Sequence, residues 1–455
     1  MKSERLKMRI GKVLRTYVVT ALLPAGIAIG VPASRAASLT SPERALVSFI
    51  DAHNAEALAL LERVVNVNSG THNPAGVRKV GEVFQEALDR LGFRTRWIDG
   101  SDFGRAGHLV ADHSGAGPRL VLVGHLDTVF ESDSPFQTVE RLSGTMARGP
   151  GIIDMKGGDV IIVSALKALD AAGILKTMNI VVVMNGDEED PGHPLSRSRE
   201  ALVAAAKNAD VAIGFEDGDG DARHAIVARR GSTSWRISVT GKPAHSSQIF
   251  REDIGAGAIF EAARILDAFR EQLRGEAHLT FSPGTILGGT TIDFDPAAAR
   301  GSAFGKTNVI AEHAEVSGDL RALTHQQFEK AKAGMRGILG ASLPHTEARI
   351  VFDEGYPPLA PSDGNARLLA LYDRASMDLG FGPVTATDPD KAGAADVAYL
   401  AGEVPMILDG VGLKGKGGHT VGETADLETL PMQTKRAALL LYRLSQRPRR
   451  QNARE

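Results

Sequence analysis

The sequence predicts an α/β fold: a mostly parallel central sheet flanked by helices, with a small α+β domain inserted into it. Four short runs are apolar on both faces, which is typical of strands buried in a parallel sheet: "RLVLVG", "NIVVVMNG", "DVAIGF" and "PMILDG". Between the first two lies "GGDVIIVSALKALDAAG", a run suited to the crossover helix that parallel strands need. A chain of 455 residues is also long for one core, so two domains are expected.

The first 36 residues have the features of an export signal. A basic start is followed by the apolar run "YVVTALLPAGIAIGV", and then by "PASRAAS", in which Ser34 and Ala36 fit a signal-peptidase site. The apolar run is short and contains proline and glycine, which favours a cleaved signal over a membrane anchor. We therefore predict that residues 1–36 are removed, and that the mature protein is periplasmic or secreted without a stable membrane anchor. The chain has no cysteine, so disulfides cannot contribute to its stability.

Residues 37–228 are predicted to form the first part of the catalytic domain. Ser41, Pro42 and Glu43 are typical of a helix start. A second helix is indicated by "GVRKVGEVFQEALDRLG", whose apolar residues recur at helical spacing up to Gly92.

Near Arg229 the pattern changes to that of an antiparallel sheet with one solvent-exposed face. "STSWRISVTG" alternates apolar and polar residues, and two amphipathic helices and three further strand-like runs follow. The order strand-helix-strand-strand-helix-strand predicts a ferredoxin-like lid and dimerisation domain over residues 229–355. Residues 356–455 then return to the catalytic domain and end in the helix "MQTKRAALLLYRLSQ".

The charge balance argues against nucleic acid as a partner. The net charge is −3, basic and acidic residues are mixed along the chain, and aromatic residues make up only 5%. Nucleic-acid binding requires a concentrated basic surface, often with aromatic stacking platforms.

Residue types that bind metals occur just past the ends of the predicted buried strands, with Asp154 in a glycine-rich turn before the crossover helix. Because ligands bind beyond the carboxyl ends of the strands in an open α/β sheet, these side chains are expected to converge on one cleft. Two imidazoles with several carboxylates and no thiolate suit zinc, and a two-metal site needs one carboxylate to bridge. The candidates are His125, Asp127, Asp154, Glu188, Glu189, Glu216, Asp217 and His419.

Four strings, in this order, resemble the M20 family of metallopeptidases: "GHLDTV", "GPGIIDMKGG", "NGDEE" and "GGHTVGE". That family includes glutamate carboxypeptidases, aminoacylases and succinyl-diaminopimelate desuccinylases. The resemblance extends over nearly all of the chain after the signal, and "THNPAGVRKVG" is most similar to the periplasmic glutamate carboxypeptidases. It implies a zinc-peptidase catalytic domain.

The resemblance also implies roles for these residues and two Zn²⁺ ions per subunit. His125 and Glu216 would bind one zinc, His419 and Glu189 the other, and Asp154 would bridge them. Glu188 would be the general base, and Asp127 would orient His125. A cis peptide bond would follow Asp154. Where relatives usually have Glu-Pro this chain has Glu216-Asp217, so either carboxylate remains open as a ligand, and Glu216 is preferred because it directly follows the apolar run.

Residues outside the metal site acquire roles from the same resemblance. His245 in "GKPAHSS" would reach into the active site of a partner subunit and stabilise the oxyanion, which implies a homodimer. Arg321 in "GDLRAL" and Asn308 in "KTNVI" would bind the terminal carboxylate of the substrate, and a guanidinium suits a carboxylate geometrically. Arg223 lies near the position of a lysine that binds the glutamate side chain in relatives.

The sequence therefore predicts an exported di-zinc hydrolase that cleaves the amide bond before a C-terminal amino acid, with glutamate as one candidate, in a peptide or N-acyl amino acid. Two alternatives remain: an aminopeptidase or dipeptidase with the same metal chemistry, or a catalytically silent peptide-binding homologue. Arg321 favours recognition of a carboxylate over a free amine, and the intact Glu188-Glu189 pair favours catalysis.

Overall fold

A computed structural model describes residues 39–296 and 300–448. The predicted signal, residues 1–36, lies outside the described residues. Within those two ranges, no helix combines the length and the apolar composition needed to cross a bilayer.

The central sheet has six strands and is mostly parallel, as predicted. Its strand order is β1-β2-β6-β3-β7-β16, and β6, β3, β7 and β16 run parallel, whereas β1 and β2 are antiparallel additions at one edge. All four predicted apolar runs contribute strands. The bounds are β1 Arg94–Asp99, β2 Gly107–His113, β3 Arg119–His125, β6 Asn179–Asn185, β7 Val211–Gly214 and β16 Ile407–Leu408.

Helices cover this sheet, and their starts follow local sequence signals. The first helix is capped by Thr40, whose hydroxyl accepts from the backbone N–H of Glu43 while the Glu43 carboxylate accepts from Thr40, a capping box. The predicted helix ending near Gly92 is capped by Asn73 and buries the predicted apolar face. The helices of this layer are α1 Ser41–Ala52, α2 Asn54–Val65, α3 Pro74–Asp89, α4 Gly157–Ala171, α5 Leu195–Ser198, α6 Glu200–Ala206, α9 Asp363–Asp378 and α10 Thr429–Ser445.

A second, fully antiparallel sheet lies within residues 231–352, in the order β10-β13-β9-β14. One face, with Trp235, Ile237 and Val239, packs on two helices, while the alternating residues are partly exposed. The predicted order of elements is present, and a hairpin absent from the prediction is added between the second and third strands. The bounds are β9 Gly231–Gly241, α7 Ala258–Leu273, β10 Thr280–Gly289, β11 Thr291–Asp295, β12 Arg300–Phe304, β13 His313–Ala322, α8 His325–Leu339 and β14 Thr346–Phe352. The domain boundaries themselves stay a prediction.

A small sheet beside the central one joins segments that are far apart in sequence. Its order is β17-β18-β5-β4, with bounds β4 Glu140–Arg141, β5 Met146–Arg148, β17 Gly415–Lys416 and β18 Thr424–Asp426. Because β5 pairs antiparallel with β18, the loop after β5 lies against the loop before β18. A two-residue parallel pair, β8 His224–Ala225 with β15 Thr385–Ala386, completes the strands.

The chain enters and leaves the lid through two segments that pair with each other. Arg229 bridges Leu359, and Ser232 bridges Tyr356, in antiparallel fashion. Glycine is required at this crossing, since a Cβ at Gly231 would lie 2.5 Å from the carbonyl oxygen of Tyr356. We call residues 229–232 and 353–359 the hinge segments.

Candidate metal centre

Two groups of possible metal ligands share one carboxylate. Asp154 Oδ1 lies 3.1 Å from His125 Nε2, and Asp154 Oδ2 lies 2.9 Å from His419 Nε2. Glu216 Oε1 is 3.6 Å from His125 Nε2, and Glu189 Oε2 is 3.1 Å from His419 Nε2. Asp154 thus stands between two histidine–carboxylate pairs, the arrangement that a bridged pair of cations needs.

Three of these side chains lie where the strand-end rule places them. His125 is the last residue of β3, Glu189 follows the end of β6, and Glu216 follows the end of β7.

Asp154 and His419 reach the same place by a different route. Asp154 lies in the helical turn Ile152–Lys156 after β5, and His419 lies in the loop before β18, so the small sheet positions both. The prediction that both residues follow strands of the central sheet is therefore wrong. The peptide bond between Asp154 and Met155 is cis, as predicted.

The sequence left either Glu216 or Asp217 as a candidate ligand. In the structure the Glu216 carboxylate lies in the candidate ligand group with His125 and Asp154. Glu216 is one of the two carboxylates, with Asp154, that lie close to His125 Nε2, whereas Asp217 accepts a hydrogen bond through its backbone oxygen from Lys414 Nζ at 2.5 Å. Asp217 is still close enough to matter electrostatically: burial and Asp154 raise the pKa of Asp217 to about 7, against the opposing effect of Lys414.

The carboxylate of Asp127 contacts both His125 and the loop that carries Glu188 and Glu189. Its Oδ1 lies 3.4 Å from His125 Nδ1 and accepts from the backbone N–H of Glu188 at 3.0 Å. Its Oδ2 accepts from Glu189 N–H at 3.1 Å and from the Thr71 hydroxyl at 2.7 Å. The carboxylate is completely buried, and these contacts outweigh the effect of burial and lower its pKa. The backbone oxygen of Asp127 lies still closer to His125 Nδ1, at 3.1 Å, so both groups of this residue face the imidazole. The predicted orienting role of the carboxylate stays a prediction.

Glu423 performs a similar task for Asp154, although it was not assigned a role from the sequence. Its carboxylate oxygens accept from the backbone N–H groups of Gly151, Ile153 and Asp154 at 3.1, 2.8 and 3.3 Å. Burial raises the pKa of Glu423 to about 8, while these N–H donors act in the opposite direction. The residue is part of the string "GGHTVGE", but a lone glutamate there gives no signal of its partners.

Burial and the close contacts within this group shift the pKa values of its members. Hydrogen bonds to Asp154 and Glu189 raise the pKa of His419 to about 11. Burial and the neighbouring Asp154 raise the pKa of Glu189 to about 7, and burial raises the pKa of Glu216 well above its usual value. Carboxylates and imidazoles this closely packed repel or share protons according to their charge, and a bound cation would stabilise the ionised carboxylates.

A metal ion fits these residues. Glu189 Oε1 is buried and has no hydrogen-bond partner within the described residues, so one carboxylate oxygen is free to coordinate. The donor set of imidazoles and carboxylates suits zinc, although it admits other divalent metals.

Glu188 lies between the ligand loops, and its backbone is fixed on both sides. Its N–H donates to Asp127, and its carbonyl oxygen accepts from the hydroxyl of Tyr356 at 2.7 Å. Burial raises the pKa of the Glu188 carboxyl well above its usual value, and Asp396 and Glu189 add to this effect while His125 opposes it. A carboxylate of raised basicity beside a cation site is suited to proton transfer.

A buried polar network supports the Glu188 loop from the opposite side. The guanidinium of Arg199, 1% exposed, donates to Asp187 Oδ1 and to Asp396 Oδ1, both at 2.7 Å, and to the Tyr356 hydroxyl at 2.8 Å. Asn185 Nδ2 donates to the second oxygen of Asp396 at 2.6 Å. Sequence reasoning missed this network because single polar residues in loops carry no periodic pattern.

Tyr356 lies in the hinge segment 353–359. The other hinge segment, residues 229–232, is connected to the loop that carries Glu216. Arg229 Nε donates to Asp409 Oδ2 at 2.8 Å, and Asp409 Oδ1 accepts from the backbone N–H of Glu216 at 3.4 Å. Asp409 is fully buried and Arg229 nearly so.

The lid residues predicted to contact substrate are divided between two ends of the lid sheet. His245 bridges Val309, and Ser246 N–H donates to the carbonyl of Asn308 at 2.8 Å, so His245 and Asn308 belong to adjoining loops. Arg321 instead pairs with Ser232 at the hinge end of the sheet, and its side chain donates to Asp319 at 2.9 Å. Eight residues of β13 separate the two ends, a distance of about 27 Å.

The side chain of Arg223 is exposed to solvent and does not join the candidate ligand group. Its side chain is 76% exposed and forms an ion pair with Asp221 at 2.5 Å, in the loop that follows Glu216. The structure therefore does not bring Arg223 into the group of predicted ligands, and its contact with a substrate stays a prediction.

Comparisons with known proteins agree with this site. Residues 121–443 match the model of peptidase family M20/M25/M40. Carboxypeptidase G2 of Pseudomonas sp. (strain RS-16) is 26% identical over 84% of this chain and 88% of its own. Succinyl-diaminopimelate desuccinylase of Rhodospirillum rubrum is 29% identical over 83% of this chain and 96% of its own.

Solved structures share the fold. Aminopeptidase PepT from Bacillus cereus superposes with a TM-score of 0.69 at 18% identity, covering 86% of this chain and 99% of that one. The Bacillus subtilis YXEP protein, described as a dinuclear metal-binding peptidase, gives 0.61 at 15% identity, covering 87% and 99%.

Proposed function

Because this chain belongs to peptidase family M20/M25/M40, we propose that it hydrolyses the amide bond before a C-terminal amino acid, in a peptide or in an N-acyl amino acid. The observation that carries the proposal is Asp154, shared by two histidine–carboxylate pairs with Glu188 beside them. The presence of a carboxypeptidase and a desuccinylase among the similar proteins supports hydrolysis of an amide.

We further propose two zinc ions per subunit. His125 and Glu216 would hold one ion, His419 and Glu189 the other, with Asp154 between them. When bound, the ions would polarise the scissile carbonyl and lower the pKa of water.

The residues of the chain perform the proton transfer. Glu188 would take the proton from the attacking water and deliver it to the nitrogen of the leaving amino acid. Its backbone is held at the N–H by Asp127 and at the carbonyl by Tyr356, so the carboxylate needs little reorganisation before each transfer. The raised pKa of Glu188 suits a group that must both accept and release a proton.

Arg321 and Asn308 would bind the terminal carboxylate, and His245 would stabilise the oxyanion. Arg321 lies at the hinge end of the lid sheet, next to the segment that contacts the Glu188 loop. His245 and Asn308 lie at the far end. A separation of about 27 Å along the sheet favours their supply by a second subunit.

A homodimer through the lid provides that arrangement. The lid has an apolar surface formed by Phe250, Ile259 and Phe260, which are 68, 48 and 51% exposed. The rings of Phe250 and Phe260 lie 5.6 Å apart, so these two side chains form one apolar patch. Exposed apolar surfaces of this kind mark protein–protein contacts. Export and cleavage of residues 1–36 remain part of the proposal.

A hydrolysis screen tests this function. Purified mature protein, loaded with zinc, would be assayed on N-acyl derivatives of Glu, Asp, Phe, Leu and Ala, and on peptides with free amino termini. We expect release of the C-terminal amino acid, lost on treatment with a strong chelator and restored by zinc. Cleavage of the free-amine peptides alone would point to an aminopeptidase, and binding without cleavage would point to a silent homologue; either result would refute the proposal.

A further inference from the structure

The backbone of Glu188 is connected to the lid hinge through one phenol group. Tyr356 belongs to the hinge segment that returns from the lid, only four residues after the end of β14. Its hydroxyl donates to the carbonyl oxygen of Glu188 at 2.7 Å. The same hydroxyl accepts from Arg199 Nη2 at 2.8 Å, so its proton is directed at Glu188.

The groups that contact Tyr356 on either side are themselves held by hydrogen bonds. Arg199 is buried and is held by the carboxylates of Asp187 and Asp396. On the hinge side, the carbonyl oxygen of Tyr356 accepts from Ser232 N–H at 3.0 Å, in the other hinge segment. Any rotation of the lid that displaces residues 353–359 therefore acts on the carbonyl of Glu188.

We propose that Tyr356 is a positioning residue, which fixes the Glu188 loop and couples the placement of that carboxylate to the lid. The inference rests on the proposed role of Glu188 as the general base. It concerns backbone placement: the hydroxyl contacts the peptide group of Glu188 and not the carboxylate. The loss of this contact should impair proton transfer without removing any candidate metal ligand.

A neighbouring tyrosine offers a matched control. The rings of Tyr356 and Tyr399 lie 5.2 Å apart, and Arg199 lies over both, at 5.7 and 5.6 Å from the ring centroids. The hydroxyl of Tyr399, however, is buried without a hydrogen-bond partner within the described residues. Tyr356→Phe and Tyr399→Phe thus remove the same atom from similar surroundings, and only the first removes a contact to Glu188.

Hydrogen exchange of the zinc-loaded protein tests the positioning directly. In Tyr356→Phe we expect the hydrogen-bonded amides of Gly186, Glu188, Glu189 and Gly192 to exchange about tenfold faster, because the loop opens more often. In Tyr399→Phe the same amides should exchange at the wild-type rate. Equal exchange in Tyr356→Phe and wild type would overturn the proposal, and so would equal acceleration in both variants. Since no substrate is needed, this measurement decides the point even if the screen of N-acyl amino acids finds no hydrolysis.

Kinetics on a substrate found by the screen test the catalytic consequence. We expect Tyr356→Phe to lower kcat about tenfold, since small displacements of a catalytic group are costly. KM and the zinc content should remain at wild-type values, which separates misplacement of Glu188 from loss of substrate binding or metal. A Tyr356→Phe enzyme with wild-type kcat, or one that loses zinc, would contradict the positioning role.

Discussion

Asp127 lies with its Oδ1 atom 3.4 Å from His125 Nδ1, on the side of the imidazole away from the metal-facing Nε2. The same carboxylate accepts the N–H groups of both Glu188 and Glu189. One buried side chain therefore contacts a candidate ligand of the first proposed zinc ion and the loop that carries a candidate ligand of the second.

For this reason Asp127→Asn should weaken zinc binding about 10- to 100-fold, the range found when an outer partner of a metal-binding histidine is removed. An amide in this place has an NH₂ group that would face a backbone N–H. A competition titration with a chromophoric chelator measures the affinity. Asp133→Asn, an exposed position on the loop that follows, is the control and should bind zinc normally. Unchanged affinity in Asp127→Asn would refute the orienting role.

Glu188→Gln should retain both metal ions and lose about 10²- to 10⁴-fold in kcat, the usual contribution of a general base. The amide has the same shape and cannot accept the proton. Metal analysis and steady-state kinetics are measured on the same preparation. Asp190→Asn alters a half-exposed carboxylate in the same "DEED" run and should leave kcat unchanged. Substantial turnover by metal-loaded Glu188→Gln would exclude Glu188 as the base.

The two adjacent carboxylates at positions 216 and 217 should differ in their effect on metal content. Glu216 faces His125 Nε2 at 3.6 Å, so Glu216→Gln should lower zinc occupancy by one ion per subunit. Asp217→Asn should keep two ions, because the contact of this residue is a backbone hydrogen bond with Lys414. The reverse pattern would make Asp217 the ligand.

The metal-free protein should become less stable between about pH 5 and pH 7. Burial raises the pKa of Glu189 and Asp217 to about 7, and also raises the pKa of Glu188 and Glu216. The folded chain then keeps protons that the unfolded chain has released above about pH 4.5, so a rise in pH favours unfolding. Burial also raises the pKa of Asp159, Asp187 and Glu423, which adds to this effect. Burial lowers the pKa of His108 and Lys156, and these two groups act the other way.

Zinc should reverse this trend, because bound cations replace the retained protons. The pKa of His419, raised to about 11 without metal, means that the imidazole must lose a proton before it can coordinate. The increase in melting temperature on adding zinc should therefore be larger at pH 7 than at pH 5. Calorimetric titration in buffers of different ionisation enthalpy should detect proton release on binding. Equal stabilisation at both pH values, with no proton release, would contradict the assignment of this cluster to metal.

The apolar lid surface should control assembly. Phe260→Asp should convert a dimer to a monomer in sedimentation analysis, since a charge would be buried at the proposed contact. The hydrolytic rate should fall in parallel, because His245 would no longer reach a second active site. Leu142→Asp, at an exposed apolar residue of the catalytic part, is the control and should leave both properties unchanged. A fully active Phe260→Asp monomer would refute the shared site.

The parts that the sequence could predict are those with a repeating or local signal. The buried strands β3, β6 and β7 were recognisable from their composition. Because His125 and Glu189 lie at or just after the ends of β3 and β6, recognising these strands was enough to place both residues. The place of His419 was not predictable in this way, because it depends on pairing between β5 and β18, which lie far apart in the chain. Tyr356 and Arg199 were missed for a similar reason: each depends on one long-range contact of a single side chain.

Glu423 carries a consequence for the order of folding. Its carboxylate joins the loop at residues 151–154 across some 270 residues of chain, with the whole lid in between. Such contacts of high sequence separation are slow to form. During synthesis, His125, Asp154 and Glu189 all leave the ribosome before the two residues, His419 and Glu423, that complete their surroundings. The lid can therefore adopt its structure before the candidate cation site is complete. A truncated chain ending near residue 410 would carry the candidate ligands His125, Asp154, Glu189 and Glu216 without His419 and Glu423.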